Sequence, residues 1–293
     1  MKLSLAAKFN LVFITIFLIG FAAAGGVADY LLKQSAREET LQNARLLMES
    51  ALATRAYTSS HIVPLLKTQL KYEFLPESVP SFSANEQMTT LLKKYPSFSY
   101  KEAVLNPTNL RDRTTDWEAD VVNRLRSQAN PTEFIGERET GSGRALYIAR
   151  PLQIKDPACL TCHSVPDAAP KTMIDVYGRN NGFGWKLNEV VGAQIISVPM
   201  EVPLQRARSI LQTFMLSLLG VFAFLFVALN AMVYFFVTRR ISALAKVADQ
   251  VSMGKFDAAD FDTSGKDEVS ALAMSFGRMR TSLASALKML EEG

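Results

Sequence analysis

Two long apolar runs frame the chain. From Phe9 to Ala28 no residue carries a charge, and a run of about 20 residues is what a helix needs to cross the hydrocarbon core of a bilayer. From Ser209 to Thr238 the uncharged run extends to about 30 residues, enough to span with tilt. Just after the first run Leu41, Ala44, Met48 and Ala51 recur at steps of three and four with charges between them. That spacing predicts an amphipathic helix through Leu41 to about Leu70.

Between the runs the pattern is mixed. Leu75–Pro80 and Asn106–Asn109 are rich in turn-forming residues. Asp116–Arg126 reads as a helix with Asp116 near its start, and Ala145–Ala149 and Val191–Val198 read as buried strands. Beyond Thr238 the apolar positions fall into alternating steps of three and four. A first seam is Ile241, Leu244, Ala248 and Val251; Met253 and Gly254 break it, and a connector carrying Phe256 and Phe261 follows. A second seam is Val269, Leu272, Phe276, Met279, Leu283, Ala286 and Leu290. Neither helix buries its stripe alone, so a parallel four-helix bundle made by two chains is the economical solution. A membrane-proximal coiled coil that only holds a dimer together is the plainer alternative.

Composition agrees with two spans. Hydrophobic residues make up 48% of the 293, and a mean hydropathy of +0.09 is high for a soluble protein. The net charge of +4 is small and dispersed, with no basic cluster interleaved with aromatics, so nucleic acid is not an expected partner. No glycine-rich phosphate loop is present, and no nucleophile and base pair argues for an enzyme. Lys2 and Lys8 precede the first span, and Arg239, Arg240 and Lys246 follow the second, which places both termini in the cytoplasm by the positive-inside bias. Arg206 and Arg208 oppose it, although long translocated loops obey the bias poorly. Ala22-Ala23-Ala24 would also suit a cleaved signal peptide. The apolar run exceeds a usual signal core, however, and a cleaved chain would begin inside the helix that follows, so an uncleaved anchor is expected. The expected organisation is a cytoplasmic stub and first span over 1–32, an external domain over 33–208, a second span over 209–238 and a cytoplasmic module over 239–293.

The chain has two cysteines and two histidines, and three of these four stand together in Cys159-Leu160-Thr161-Cys162-His163. C-x-x-C-H is the covalent attachment pattern of c-type haem. The two thiols form thioethers with the haem vinyl groups, and the adjacent imidazole is placed to take one axial position on iron. A structural zinc site needs a second ligand pair that this chain lacks. A thioredoxin-like redox pair leaves His163 unexplained and has no βαβ pattern around it. One covalent haem per chain is therefore expected. Attachment in bacteria takes place on the periplasmic side, so the expected location is the inner membrane with the haem domain in the periplasm.

For the sixth iron ligand the candidate is His61, the only other histidine, ahead of Ile62-Val63-Pro64 on the long helix. Met173, Met200 or an open site are the alternatives. Trp117, Tyr147, Tyr177, Phe183 and Trp185 are candidate haem-lining aromatics, with ordinary core packing as their other reading. Among Arg111, Arg113, Arg144, Arg150 and Arg179, the candidates to pair with propionates are Arg150 and Arg179, which lie close to the motif in sequence.

Two resemblances add to this. The segment after Thr238 resembles a HAMP signalling module in its position past a membrane helix, in Gly254 closing the first helix, in Asp267-Glu268 opening the second and in the connector phenylalanines. It departs where Ser242-Ala243 replaces the proline that usually follows the first isoleucine. Around the haem motif stand, in order, Phe74-Leu75-Pro76-Glu77-Ser78-Val79-Pro80, Tyr100-Lys101-Glu102-Ala103, Asn106-Pro107-Thr108-Asn109, Asp116-Trp117-Glu118 and Gly182-Phe183-Gly184-Trp185. With them residues 40 to 205 resemble the PAS-like periplasmic c-type haem-binding domains, long called a domain of unknown function and often fused to HAMP modules. The resemblance implies an α+β fold with a five-stranded antiparallel sheet and long helices, haem held by Cys159 and Cys162, and His163 as an axial ligand. Some relatives use a cysteine as sixth ligand, and this chain has no third cysteine.

The expectation is a homodimeric, membrane-anchored haem sensor that sends a redox or small-ligand signal through its HAMP module. No kinase, cyclase or methyl-accepting segment follows the second seam, which leaves output to an unidentified cytoplasmic partner or a longer natural product. The alternatives are an anchored mono-haem cytochrome serving a redox partner, and an accessory subunit of a membrane complex.

Overall fold

The structure, a computed structural model, describes residues 4–141, 143–257, 260 and 265–291. Lys2 and Phe261 lie outside the described residues, as does the side chain of Leu290. The chain divides into two compact units, Ala28–Ile210 on one hand and Met1–Val27 with Leu211–Gly293 on the other.

The unit Ala28–Ile210 is an α+β domain built on an antiparallel sheet. Its strands are β1 (Ser99–Val104), β2 (Phe134–Thr140), β3 (Gly143–Gln153) and β4 (Val190–Pro199), in the order β1-β4-β3-β2. Among the described residues there are four strands, where the resemblance implied five. Strands β3 and β4 sit centrally with Ile148 opposite Ile196, and both of their faces are covered. This is why they read as continuous apolar runs. Side chains alternate between faces with the period of the pleat. Leu146, Ile148, Ile196 and Val198 meet Leu41, Ala44, Met48 and Ala51 of helix α1 (Leu5–Tyr57) and Met88 of α3 (Pro80–Leu92). The four α1 residues are the ones the three-and-four spacing singled out. Tyr147, Ala149, Ala193 and Ile195 face the other way, onto Val121, Val122 and Leu125 of α4 (Asp116–Arg126). Helix α4 opens on a capping box in which Glu118 accepts from the Thr115 N–H at 2.7 Å.

Helix α1 does not run to Leu70. It ends at Tyr57 and passes through a π turn, Thr58–Ile62, into the single turn α2 (Val63–Leu66). Pro64 supplies the reason: its missing N–H and its ring conflict with the carbonyl four residues earlier, and a wider turn relieves both.

In the second unit, the first part of α1 and the later part of α7 (Glu201–Val233) carry the two spans. Each helix contains an 18-residue window of mean hydropathy 2.4, and none of either window is buried. Phe13 packs on Phe222 and Phe226 at ring-centroid distances of 5.2 and 5.7 Å. Another π turn, Tyr234–Thr238, leads into α8 (Arg239–Ser252), and α9 (Glu268–Glu291) follows the connector. Gly254 sits just past α8 with φ +83°, the left-handed conformation that glycine adopts without strain. Leu244 and Val251 of α8 and Ala273 of α9 are buried, and Leu272, Met279 and Leu283 stay exposed. Asp267 caps α9 by accepting the Ser270 N–H at 2.8 Å and also pairs with Arg240. Its carboxyl is held below the usual range, first by the Ser270 backbone bond.

Candidate functional site

The C-x-x-C-H residues occupy a short helical corner between β3 and β4. Pro157–Cys159 forms a 3-10 turn and α5 (Leu160–His163) continues it. Asp156 starts the corner, its carboxylate accepting the Ala158 N–H at 2.8 Å. Cys159, Leu160 and Trp185 pack on a small apolar cluster of Val104, Ile154 and Val191. Both cysteines are free and half-buried. Burial and then the neighbouring Cys159 push the Cys162 thiol up, so it stays protonated near neutrality.

His163 is held on three sides. Its Nδ1 lies 2.8 Å from the carbonyl oxygen of Gly182. A carbonyl only accepts, so Nδ1 carries the proton and the Nε2 lone pair is left free. The Thr108 hydroxyl oxygen stands 3.4 Å from the same nitrogen. Trp185 stacks on the ring at 3.9 Å and 14°. Burial lowers the pKa of His163, partly offset by the Gly182 bond, so burial favours the neutral ring. The indole Nε1 of Trp185 is buried without a hydrogen-bond partner among the described residues.

Two loops remote in sequence make this cradle. Asn106 donates through Nδ2 to the Phe183 carbonyl at 3.3 Å and accepts the Gly182 N–H at 3.2 Å. The Trp185 and Gly184 N–H groups donate to the His163 and Ser164 carbonyls at 3.2 and 2.8 Å. Gly182 has φ +83°, and a Cβ there would lie 2.8 Å from Thr108 Cα, so glycine alone fits. On the first loop, burial pushes the Asp112 carboxyl up to about 6, against the pull of Arg111.

The other sequence candidates have other surroundings. His61 is exposed on the π turn and stacks on Tyr57 at 5.1 Å. Met200 fills the core against α1, and Met173 is buried on α6 (Lys171–Tyr177). Trp117 and Tyr147 meet edge to face at 5.3 Å in the core under α4. Tyr177 meets Phe74 edge to face. Arg150 is paired with Glu49 at 2.6 Å and Glu133 at 3.2 Å, and Arg179 with Asp167. Sequence reading missed Asn106, Thr108 and Gly182 as site residues. Their signal was the Asn-Pro-Thr-Asn and Gly-Phe-Gly-Trp stretches.

A second polar cluster lies in the same unit. Glu102, only 3% exposed, pairs with Arg55 from the last turn of α1 at 2.5 Å. It also accepts from Tyr100 at 2.7 Å and Gln194 at 3.3 Å. Burial, and then Glu102, push the Tyr100 hydroxyl well above the usual phenol range.

Comparison with known proteins bears on both parts of the chain. Residues 234–285 match the HAMP domain model. No curated protein sequence matches. One solved structure, described as the crystal structure of the cyanobacterial heme-protein Tll0287, is 14% identical with a TM-score of 0.43, covering 55% of this chain and 95% of its own. The Tll0287-like family model matches residues 33–199, more than half of the chain and all of the cradle around His163, so the chain belongs to the Tll0287-like family and joins that domain to a HAMP domain.

Proposed function

We propose that this protein is a membrane-anchored sensor holding one c-type haem through Cys159, Cys162 and His163, with the haem domain in the periplasm and the HAMP domain in the cytoplasm. The observation that carries it is the cradled His163, directly after two free cysteines, with Nδ1 committed to a carbonyl and Nε2 free. That is the tautomer of an imidazole metal ligand with its outer-shell partner in place. The donor set fits the group: two thiols, each able to add S–H across a vinyl double bond without an oxidant, and one neutral imidazole. The buried Trp185 N–H beside them, unpartnered among the described residues, fits a nearby acceptor that those residues do not supply. The solved protein that shares the family name is itself described as a heme-protein. Haem, when bound, would supply a one-electron iron couple. A sensing domain joined to a HAMP domain and two apolar helices points to signalling rather than catalysis.

His61 is our assignment for the sixth ligand, since it is a second imidazole in a π turn, a feature frequent at functional sites. Replacing His61 by alanine is expected to turn a low-spin absorption spectrum high-spin and to admit carbon monoxide to the reduced protein. Identical spectra in both oxidation states would remove His61 from the iron. For propionates, Arg150 and Arg179 would act in competition with carboxylates already bound to them.

The exposed seam residues of α9 fit a homodimer, because apolar seams of this spacing are covered by a partner helix. Cysteines introduced singly at Leu272 and Met279 are expected to cross-link between chains. The yield should change when the haem is reduced or liganded, since a signal requires one state to be preferred. Cross-linking that stays indifferent to haem state would favour the anchored electron-transfer cytochrome instead.

A further inference from the structure

We infer that Asn106 and Thr108 are positioning residues for the axial imidazole, acting through the Gly182 peptide to set the reduction potential of the iron. This rests on the haem assignment above and adds to it a role for two side chains that never touch the metal. A single amide, Asn106, grips both the N–H of Gly182 and the carbonyl of Phe183. The carbonyl between those two groups is the one His163 binds at 2.8 Å. Holding both flanks fixes the direction of that carbonyl. Thr108 acts from the other side. Its Cα leaves no room for a side chain at position 182, and its hydroxyl oxygen stands as a second acceptor 3.4 Å from Nδ1. The Trp185 face at 3.9 Å limits rotation of the ring away from these acceptors.

The physical consequence lies at the opposite nitrogen. A well-directed bond from Nδ1–H makes Nε2 more electron-rich, which stabilises ferric over ferrous iron. Loosening the Gly182 carbonyl must therefore raise the potential. Neither residue needs to move far, since hydrogen bonds weaken steeply once their angle is lost.

The test uses the full-length protein in detergent as wild type, Asn106→Ala and Thr108→Val, each checked for covalent haem stain and titrated spectroelectrochemically. Asn106→Ala is expected to keep its stain and shift the ferric/ferrous equilibrium about tenfold toward the reduced form, an upward move of about 59 mV for one electron. Thr108→Val, which keeps the shape and loses the hydroxyl, should move the same way by less. A wild-type potential in stained Asn106→Ala overturns the inference, because a merely structural pair of bonds would leave the iron couple untouched. If Asn106→Ala yields no stained protein, Thr108→Val decides: a rise supports the role and an unchanged value overturns it. Wild-type protein without covalent haem would instead fail at the earlier step, and this inference would fall with it.

Discussion

Full-length protein carrying both Cys159→Ala and Cys162→Ala is expected to leave a denaturing gel with no haem stain, where the unaltered chain keeps its band. Thioethers survive denaturation, whereas haem held only by an iron ligand leaves when the fold is lost. The two sulfurs are positioned for one group, since Cys159 ends the 3-10 turn and Cys162 lies within α5 immediately after it. Each single variant should keep one thioether and a fainter band. The measurement is complete loss against retention, so no calibration of intensity is needed. Haem that passes from the wild type into acidified organic solvent would show that it is not covalent. A stained double variant would show that the attachment lies elsewhere.

Replacing Arg55 by methionine is expected to destabilise the domain strongly, although the change lies away from the haem corner. Glu102 is nearly closed to water, and among the described residues Arg55 is its one cationic partner; Tyr100 and Gln194 supply neutral donors. Removing one partner of a buried ion pair costs about 3–5 kcal/mol, because the remaining charge stays buried. Arg55 is itself 28% exposed, so water can reach part of the site, and the lower end of that range, about 3 kcal/mol, is appropriate. For a domain of this size that is roughly a 10 °C fall in Tm. Circular dichroism of the full chain in detergent measures it. Adding Glu102→Gln to Arg55→Met should recover most of the loss, since an amide is far cheaper to bury than a carboxylate. A Tm fall of only a degree or two, or a double variant no better than the single, would show that the pair is dispensable.

These two sites differ in how far the sequence alone discloses them. Local pattern exposes whatever local forces decide. The α1 positions Leu41, Ala44, Met48 and Ala51 repeat with the helical period because one face is buried. The β3 and β4 runs are uniformly apolar because both faces are covered. Cys159, Cys162 and His163 are legible because attachment chemistry fixes their spacing. Strand β1 is different. Tyr100-Lys101-Glu102 reads as a polar stretch, yet Glu102 is buried because Arg55, 47 residues earlier, folds against it. Strand β2 carries Glu137, Arg138 and Glu139 at the sheet edge, where charge discourages pairing with another chain and also disguises the strand. The cradle was hidden for the same reason as Glu102. Thr108 and Asn106 reach their partners across 55 and 76 residues, and no periodicity registers a contact of that span.

The π turn at Tyr234–Thr238 adds one consequence for how a membrane helix hands over to the HAMP seam. An α-helix advances by about 100° for each residue, so a turn that takes in one residue more than its neighbours shifts the azimuth of everything after it by about that angle. The direction in which Leu244 and Val251 face is thus a matter of phase, decided by how many residues that turn holds rather than by which side of α7 meets its neighbour. Ser242-Ala243, in the place of the usual proline, leaves the helix after the turn free of any residue that would lock that count. A change in the width of that one turn would therefore rotate the seam by about 100° with no hinge and no break in the helix.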